Sequence, residues 1–289
     1  MPNNIELFKK YIGLLDEVYQ QSAKTSILDG DSALVQMGAN ANEIIVPKID
    51  MDGLADYSRN SGYVDGETKF TNETVQFNYD RGRAFSVDAM DNEETAGLAF
   101  GKLSSEFIRT KVVPEMDAFR FATYAATEDI SIGSGDLADG AAVISALRAA
   151  STAMDEAEVP FENRILFITP TLRGMVDDLD TTKSKAVFSK FSDIVEVPQS
   201  RFYTAIELLD GSSEGEKVGG YKKAAEGKDI NFMIIHKPAV LQYTKHTVSK
   251  IFSPDENQNA DAWKFPYRAY GLADTYENKV AGIYCHHKA

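Results

Sequence analysis

The stretch Ala84-Phe85-Ser86-Val87-Asp88-Ala89-Met90-Asp91 marks the point where the sequence changes from strand to helix. Its first five residues alternate in polarity, which predicts a half-buried strand. After the pair Asp91-Asn92, which is suited to capping a helix, residues 93–126 place apolar side chains on roughly one face. We therefore predict one long helix there, with a kink or break near Val113, because Pro114 lies within the pattern.

Upstream of this point, two β-rich segments flank a hydrophilic, turn-like segment. Residues 44–49 and 74–80 predict the two strands, and residues 58–72 predict the connection between them. A long hairpin with few large apolar residues at its tip is poorly stable by itself, so we expect it to project onto another molecule. Before the hairpin, residues 4–21 carry an apolar stripe at helical spacing, and residues 22–42 are small and polar, which predicts an extended arm.

Downstream, helical and strand patterns alternate, which is typical of an α/β lobe. Glycine-rich polar segments at residues 129–140 and 210–228 predict surface loops. Thr169 is expected to cap a helix that Pro170 begins. The other predicted elements are helices at residues 140–156 and 170–179 and strands at residues 164–168, 193–197, 231–235, 244–253, 263–275 and 279–285.

Several segments, taken in order, resemble the major capsid proteins of tailed bacteriophages, which have the Hong Kong 97-type fold. Residues 84–91 are similar to that family's junction between an extended loop and a spine helix. The run Val112-Val113-Pro114-Glu115-Met116-Asp117-Ala118-Phe119-Arg120 is similar to the end of the spine helix. Residues 164–179, with Phe167-Ile168-Thr169-Pro170, resemble a strand and helix of its axial domain, and residues 235–240 and 276–284 resemble later segments. The resemblance covers nearly the whole chain through the order of its segments.

The resemblance implies an α+β fold with an N-terminal arm, an extended β-hairpin loop, a long spine helix, a peripheral domain and an axial α/β domain. It implies a major capsid (head) protein that self-assembles into the icosahedral shell enclosing the double-stranded DNA genome of a tailed phage, and not an enzyme. The corresponding domains are residues 1–42 (arm), 43–90 (extended loop), 91–128 (spine helix and peripheral domain), 129–240 (axial domain) and 241–289 (return to the peripheral domain and C-terminal strand).

The implied partners are copies of the chain itself, as pentamers and hexamers, with a scaffolding protein and a portal. DNA would be enclosed without sequence-specific binding, and no membrane partner is expected. The implied location is the virion capsid, assembled in the cytoplasm of a bacterial host. The charge agrees, because 30 basic against 44 acidic residues give a net charge of -14, which disfavours tight phosphate binding.

The sequence contains no pattern that predicts a catalytic, cofactor-binding or metal-binding site, and no cofactor is predicted. The two histidine pairs, His286-His287 and His236 with His246, lack a converging set of metal donors. Asp50-Met51-Asp52-Gly53 lacks the later ligands of a calcium loop, and residues 211–217 lack the Gly-Lys-Ser/Thr ending of a phosphate loop.

The cysteine content and the lack of membrane or secretion signals bear on the compartment that the sequence predicts. Cys285 is the chain's single cysteine, so no intrachain disulfide forms, and a reducing compartment is expected. Because neighbouring residues on a strand point to opposite faces, His286 is not expected to activate this thiol. The N-terminus has no signal-peptide pattern, and no run approaches the roughly 20 apolar residues that cross a bilayer.

Two other functions stay open at this point. An encapsulin-type shell, which encloses a cargo enzyme, would share the fold and differ in its contents. An acidic cytosolic α/β enzyme would form a small oligomer with a ligand pocket. The predicted spine helix and α/β lobe argue against a third possibility, a tail-tube protein.

Overall fold

A computed structural model describes residues 23–30, 36–37, 43–60, 62–90, 98–179, 182–257 and 259–289. The helix predicted at residues 4–21, the predicted cap Asp91-Asn92 and most of the predicted arm lie outside them. The helices are α1 (Leu98–Phe107), α2 (Val113–Ala125), α3 (Gly140–Glu156), α4 (Pro170–Asp177) and α5 (Thr182–Phe188). The strands are β1 (Gln36–Met37), β2 (Glu43–Met51), β3 (Thr68–Gln76), β4 (Tyr79–Asp88), β5 (Ser131–Ser134), β6 (Arg164–Ile168), β7 (Asp193–Glu196), β8 (Ile206–Leu209), β9 (Gly220–Lys223), β10 (Ile230–His236), β11 (Val240–Ser249), β12 (Ala262–Thr275) and β13 (Ile283–His287).

The predicted hairpin is formed by β2 and β3. The two strands pair antiparallel, from Glu43 opposite Gln76 to Met51 opposite Thr68, and β1 adds a short third strand at the base. Residues 52–67, which we call the tip, connect the two strands. Both strands run further than the sequence pattern predicted, because the ladder of backbone hydrogen bonds continues where the side chains are already exposed.

The strand predicted over residues 74–80 is divided between two sheets. β3 ends at Gln76, and β4 begins at Tyr79 and pairs with β12. Asn78 makes the division, because its side chain binds the backbone of Ala273 in both directions, donating at 2.7 Å and accepting at 3.1 Å. These two bonds turn the chain out of the hairpin and into the three-stranded sheet β11-β12-β4.

The predicted long helix is present over its described part and is interrupted near the predicted position. α1 leads into a π-helical segment, Ile108–Val112, and then into α2. Pro114 has no N–H to donate to the preceding turn, and the wider π turn lies directly before it. We call α1, the π segment and α2 together the spine helix, which spans about 40 Å at about 1.5 Å per residue.

The central sheet has the strand order β5-β13-β10-β6-β7 and is covered on both faces. β6 is buried throughout. Ile165 and Phe167 pack with Phe121 of the spine helix, whereas Leu166 and Ile168 pack with residues of α3 and α4. This alternation is what a strand between two helical layers requires. The C-terminal strand β13 lies inside this sheet, next to β10.

The prediction of a loop over residues 129–140 was wrong, because the segment contains β5. This strand pairs parallel with β13 at the edge of the central sheet. A Cβ atom on Gly133 would lie 2.6 Å from the hydroxyl of Tyr284 and 2.8 Å from the ring of His286. Glycine suits this position because the side chains of Tyr284 and His286 on β13 lie over it, and its presence made the segment look like a loop.

Three smaller predictions also need correction. The loop predicted at residues 210–228 contains β9, which pairs with β8. The strand predicted from residue 279 begins at Ile283, because Glu277–Gly282 forms a 3-10 helix. Thr169 precedes Pro170 as predicted, but its side chain makes no capping hydrogen bond. Each difference depends on pairing or packing with residues far away in the sequence.

Candidate assembly surfaces

The described N-terminal segment, residues 23–30, is held by one buried carboxylate, Asp117 of α2. Asp117 is 1% exposed. It accepts hydrogen bonds from the backbone of Lys24 at 3.0 Å and from the backbone and hydroxyl of Thr25 at 3.1 and 2.7 Å. Arg201 adds an ion pair at 3.2 Å. A buried charge is tolerated when it is paired and hydrogen-bonded in this way, so the segment is anchored on the spine helix.

Gln242 of β11 extends the same network to the three-stranded sheet. Its amide nitrogen donates to the carbonyl of Thr25 and to the carboxylate of Asp29, each at 2.7 Å. Its amide oxygen accepts from the hydroxyl of Tyr124 at 2.8 Å, and Arg120 donates to the hydroxyl of Thr25 at 2.9 Å. The start of the predicted arm, the spine helix and β11 are therefore joined by one polar network.

The base of the hairpin packs on the outer side of the body. Ile44, Val46 and Val75 are buried against Leu241 and Leu272. Each buried apolar side chain of this size contributes about 1.5–3 kcal/mol, so the base is held by apolar packing.

The anchored base of the hairpin ends at an ion-pair cluster. Lys48 pairs with Glu73 on the opposite strand at 2.7 Å and with Glu277 of the body. The hydrogen bonds to Glu277 and Glu73 raise the pKa of Lys48, and the bond from Lys48 lowers the pKa of Glu277. Lys48 and Glu277 are therefore charged at neutral pH, and their ion pair ties this end of the base to the body.

Beyond Lys48, the hairpin has two unlike faces. Ile49, Met51 and Phe70 lie on the face opposite to the buried base residues and are 52%, 67% and 72% exposed. Ile49 and Phe70 are direct cross-strand partners. The other face is polar in this part of the hairpin, where Lys48 and Thr71 are cross-strand partners. The apolar face, which we call the outer face, has no covering residues in the described part of the chain.

The tip is less polar than predicted. Leu54, Tyr57, Tyr63 and Val64 are all exposed, and the two tyrosine rings contact each other with centroids 4.9 Å apart. The tip also carries four carboxylates against one arginine, a net charge of -3. Exposed apolar groups in this density, rimmed by charge, are typical of a surface that binds another molecule.

A groove of about 1060 Å³ lies between β4, the spine helix and the β8–β9 hairpin. Phe85, Phe107, Tyr203 and Tyr221 supply aromatic surface. β4 lies at the edge of its sheet, so one of its edges faces the groove. The charged residues that line the groove are Arg81, Arg83, Lys111, Arg201, Lys222, Lys223, Glu106, Glu115 and Asp210.

Two arginines fix the far wall of this groove. Arg81 donates to Glu115 at 2.8 Å and to the carbonyl of Leu209 at 2.7 Å. Arg83 donates to the carbonyls of Lys217 and Val218 at 3.0 and 3.1 Å. The β8–β9 hairpin is thus tied to β4 through its backbone, which holds the groove open in one shape.

The residues considered for chemistry are placed in structural roles. Burial raises the pKa of Cys285 to about 12, so this thiol is a weak nucleophile. His286 is buried and its Nδ1 lies 3.1 Å from the Nδ2 of Asn231. Asp52 accepts from the backbone of Glu67 at 2.8 Å and closes a turn of the hairpin. Asp210, beside the residues considered for phosphate binding, has its pKa lowered to about 2 by a hydrogen bond from Ser213.

The described residues contain neither a metal-ligand cluster nor a membrane-spanning helix. Among them, no three His, Cys, Asp or Glu side chains converge as metal ligands would. No described helix combines the length and apolar character needed to span a bilayer. The side chain of His246 is outside what the structure describes.

Solved structures of viral and virus-like shells share this fold. A structure of Mycobacterium phage Che8 is 11% identical, with 92% of this chain and 91% of that chain covered and a TM-score of 0.61. The capsid structure of the cyanophage P-SCSP1u is 12% identical, with 88% and 85% covered and a TM-score of 0.53. A virus-like particle from Pyrococcus furiosus is 10% identical, with 97% and 99% covered and a TM-score of 0.58.

The chain therefore has a phage-capsid fold, and the predicted α+β class with a fold of the Hong Kong 97 type is confirmed. No family model and no curated protein matches the sequence. At these low identities the likeness establishes the fold, and the function is argued below from the surfaces.

Sequence reasoning identified the hairpin as a surface but missed its two faces and the groove. The outer face was readable in principle, because Ile49 and Met51 are two residues apart on one strand. The groove was not, since its walls come from three segments that are distant in the sequence.

Proposed function

We propose that the protein is a major capsid protein whose copies assemble into a closed shell around the genome of a tailed phage. One observation carries the proposal. Among the described residues, seven of the thirteen large exposed apolar side chains lie on the hairpin, beyond its anchored base. A single copy cannot bury them, so like copies must complete the structure.

The domain limits and partners predicted from the sequence are part of this proposal. The segment assigned to the extended loop, residues 43–90, contains both the projecting hairpin and β4, whose pairing with β12 belongs to the body. A scaffolding protein and a portal are proposed from the resemblance. DNA would be confined by closure of the shell, because the acidic chain gains little from phosphate contacts.

We also propose that the protein is not an enzyme. The solved structures that share its fold include capsids and a virus-like particle. Glu115, the buried carboxylate of the groove, accepts from Arg81 and from the hydroxyl of Tyr79 at 3.2 Å. A carboxylate held in this way supports the fold and is poorly placed to exchange protons with a substrate.

A nanocompartment shell is the second candidate, and the likeness to a virus-like particle from a cellular organism is the observation in its favour. The two candidates differ in what the particle contains. Particles purified from the native source would contain double-stranded DNA and a portal under the first proposal, and a packaged enzyme under the second.

Sedimentation of the purified chain tests shell formation. We expect a species far larger than the 31.8 kDa monomer. Replacing residues 52–67 by an Asn-Gly turn should leave a folded subunit, seen by circular dichroism, that no longer forms this species, because the ladder from β2 to β3 is kept. Deleting residues 58–72 is a poorer test, since it would remove part of β3. Particles of normal yield without the tip would contradict the proposal.

A further inference from the structure

Two described surfaces of the subunit, the tip and the groove, complement each other in shape and charge. The tip exposes Tyr57 and Tyr63 as a compact aromatic pair. The groove offers aromatic side chains and a volume of about 1060 Å³, the size that takes several side chains of a ligand. The tip residues do not line the groove of their own copy.

Charge complements this fit. The tip has a net charge of -3. The groove is lined by six basic against three acidic residues in a chain that is acidic as a whole. Opposite potentials on two surfaces favour their encounter and fix their register.

Most of the basic side chains in the groove already form ion pairs within the subunit. Among the described residues, only two of them are left to attract the carboxylates of the tip. Arg81 pairs with Glu115. Arg201, Lys222 and Lys223 pair with Asp117, Glu207 and Asp229, which do not line the groove. In the described part of the chain, no carboxylate pairs with Lys111 or Arg83. Lys111 is exposed on the spine helix, and Arg83 binds backbone carbonyls. The positive charge that remains for a partner is therefore at these two residues.

The hairpin is long enough for its tip to contact another copy. The last anchored residue of the hairpin is Lys48, and nine residues separate it from Tyr57. An extended chain covers at most about 3.3–3.6 Å per residue, so the aromatic pair stands up to about 30 Å from the anchor.

We propose that the tip of one copy inserts its aromatic pair into the basic, aromatic groove of a second copy of this chain. This inference rests on the proposed shell function and names the site at which the hairpin is received. Tyr57 and Tyr63 would enter between β4 and the spine helix, and the tip carboxylates would lie near Lys111 and Arg83. The walls of the groove are already fixed by Arg81 and Arg83, so little ordering is needed on insertion.

Crosslinking in mixed particles tests the proposal. Cys285 is buried, so introduced cysteines are the ones that react. Copies that carry Asn60→Cys at the tip are co-assembled with copies of a different tag size that carry Thr110→Cys on the groove wall, which leaves Lys111 in place. A short bis-maleimide should then produce the heterodimer. The control is Arg148→Cys. Arg148 is an exposed position on α3, which packs on the face of the central sheet away from the spine helix. This variant should produce at least tenfold less heterodimer.

A second measurement uses charge alone. Lys111→Glu should lower the fraction of chains in particles at least tenfold, whereas Arg148→Glu should leave it within twofold. Particles that show no crosslink between positions 60 and 110, or as much crosslink at Arg148, would overturn the docking site and leave the shell function standing. Absence of particles from the unmodified chain would overturn both.

Discussion

At the scale of single residues, Asp117 joins the N-terminal segment, the spine helix and Arg201, and no motif in the sequence indicated these contacts. It is buried on the spine helix and receives donors from Lys24, Thr25 and Arg201. A carboxylate within a predicted helix gives no sign of such partners, because they come from segments about ninety positions away. Such residues are found only when the tertiary contacts are known.

Replacing Asp117 should therefore be costly. Asp117→Leu removes the acceptor of four hydrogen bonds, and we expect the free energy of unfolding to fall by about 3 kcal/mol. Asp177→Leu is the matched control, because Asp177 makes an exposed pair with Arg173 one helical turn away, and should cost about 0.5 kcal/mol or less. Urea unfolding of the unassembled subunit measures both. Equal losses would contradict the anchoring role.

His286 gives the molecule a pH dependence of known sign. The Nδ2 of Asn231 donates to the carbonyl of Gly135 at 3.0 Å, so the same amide nitrogen faces the Nδ1 of His286 as a donor. Protonation of Nδ1 would break that contact. Burial lowers the pKa of His286 below its usual value of 6.5, so the unfolded chain binds the proton first. The contribution to stability is complete above pH 6.5 and is lost as the pH falls through the native pKa.

We expect the protein to lose stability as the pH falls from about 6.5 to about 5, and His286→Gln to lose less over the same interval. His287→Gln keeps the pair of Asn231 and His286 intact and should retain the loss of the unmodified chain. Thermal unfolding at a series of pH values measures the three proteins. A slope that is unchanged in His286→Gln would refute the assignment.

At the scale of elements, the parts with a strong local pattern were predictable. The spine helix, α3 and the strand β6 follow from apolar spacing and from an uninterrupted apolar run. β5 and β9 were missed because short strands are defined by their partners and carry little local signal. The two faces of the hairpin were also missed. Spacing alone places Ile49 and Met51 on one face of β2, but adding Phe70 to that face requires the register of β2 against β3.

The two faces lead to a prediction about assembly. Phe70→Glu places a charge on the outer face, and Thr71→Glu places the same charge on the polar face, opposite Lys48. Both positions are exposed, so the unassembled subunit should keep its stability within about 0.5 kcal/mol in each case. Particle yield should fall strongly for Phe70→Glu only, because its ring would be buried in the shell. A greater loss for Thr71→Glu would show that the other face makes the contact.

At the scale of the whole molecule, the body buries its own apolar side chains, whereas the projecting hairpin leaves most of its apolar side chains exposed. In the described part of the chain, four apolar clusters hold the body together, and the hairpin contributes to one of them through its base alone. The order of elements along the sequence was enough to predict this division. The groove and its charges could not be predicted, because their geometry arises only after three distant segments have packed.

The central claim is that the hairpin is completed by another copy of the chain. A cryo-electron microscopy reconstruction of the assembled protein tests it most directly. We expect a closed shell in which each hairpin leaves its own subunit and buries Tyr57, Tyr63 and Phe70 on a neighbour. A particle in which every hairpin folds back on its own subunit, or a protein that stays monomeric at all concentrations, would contradict it.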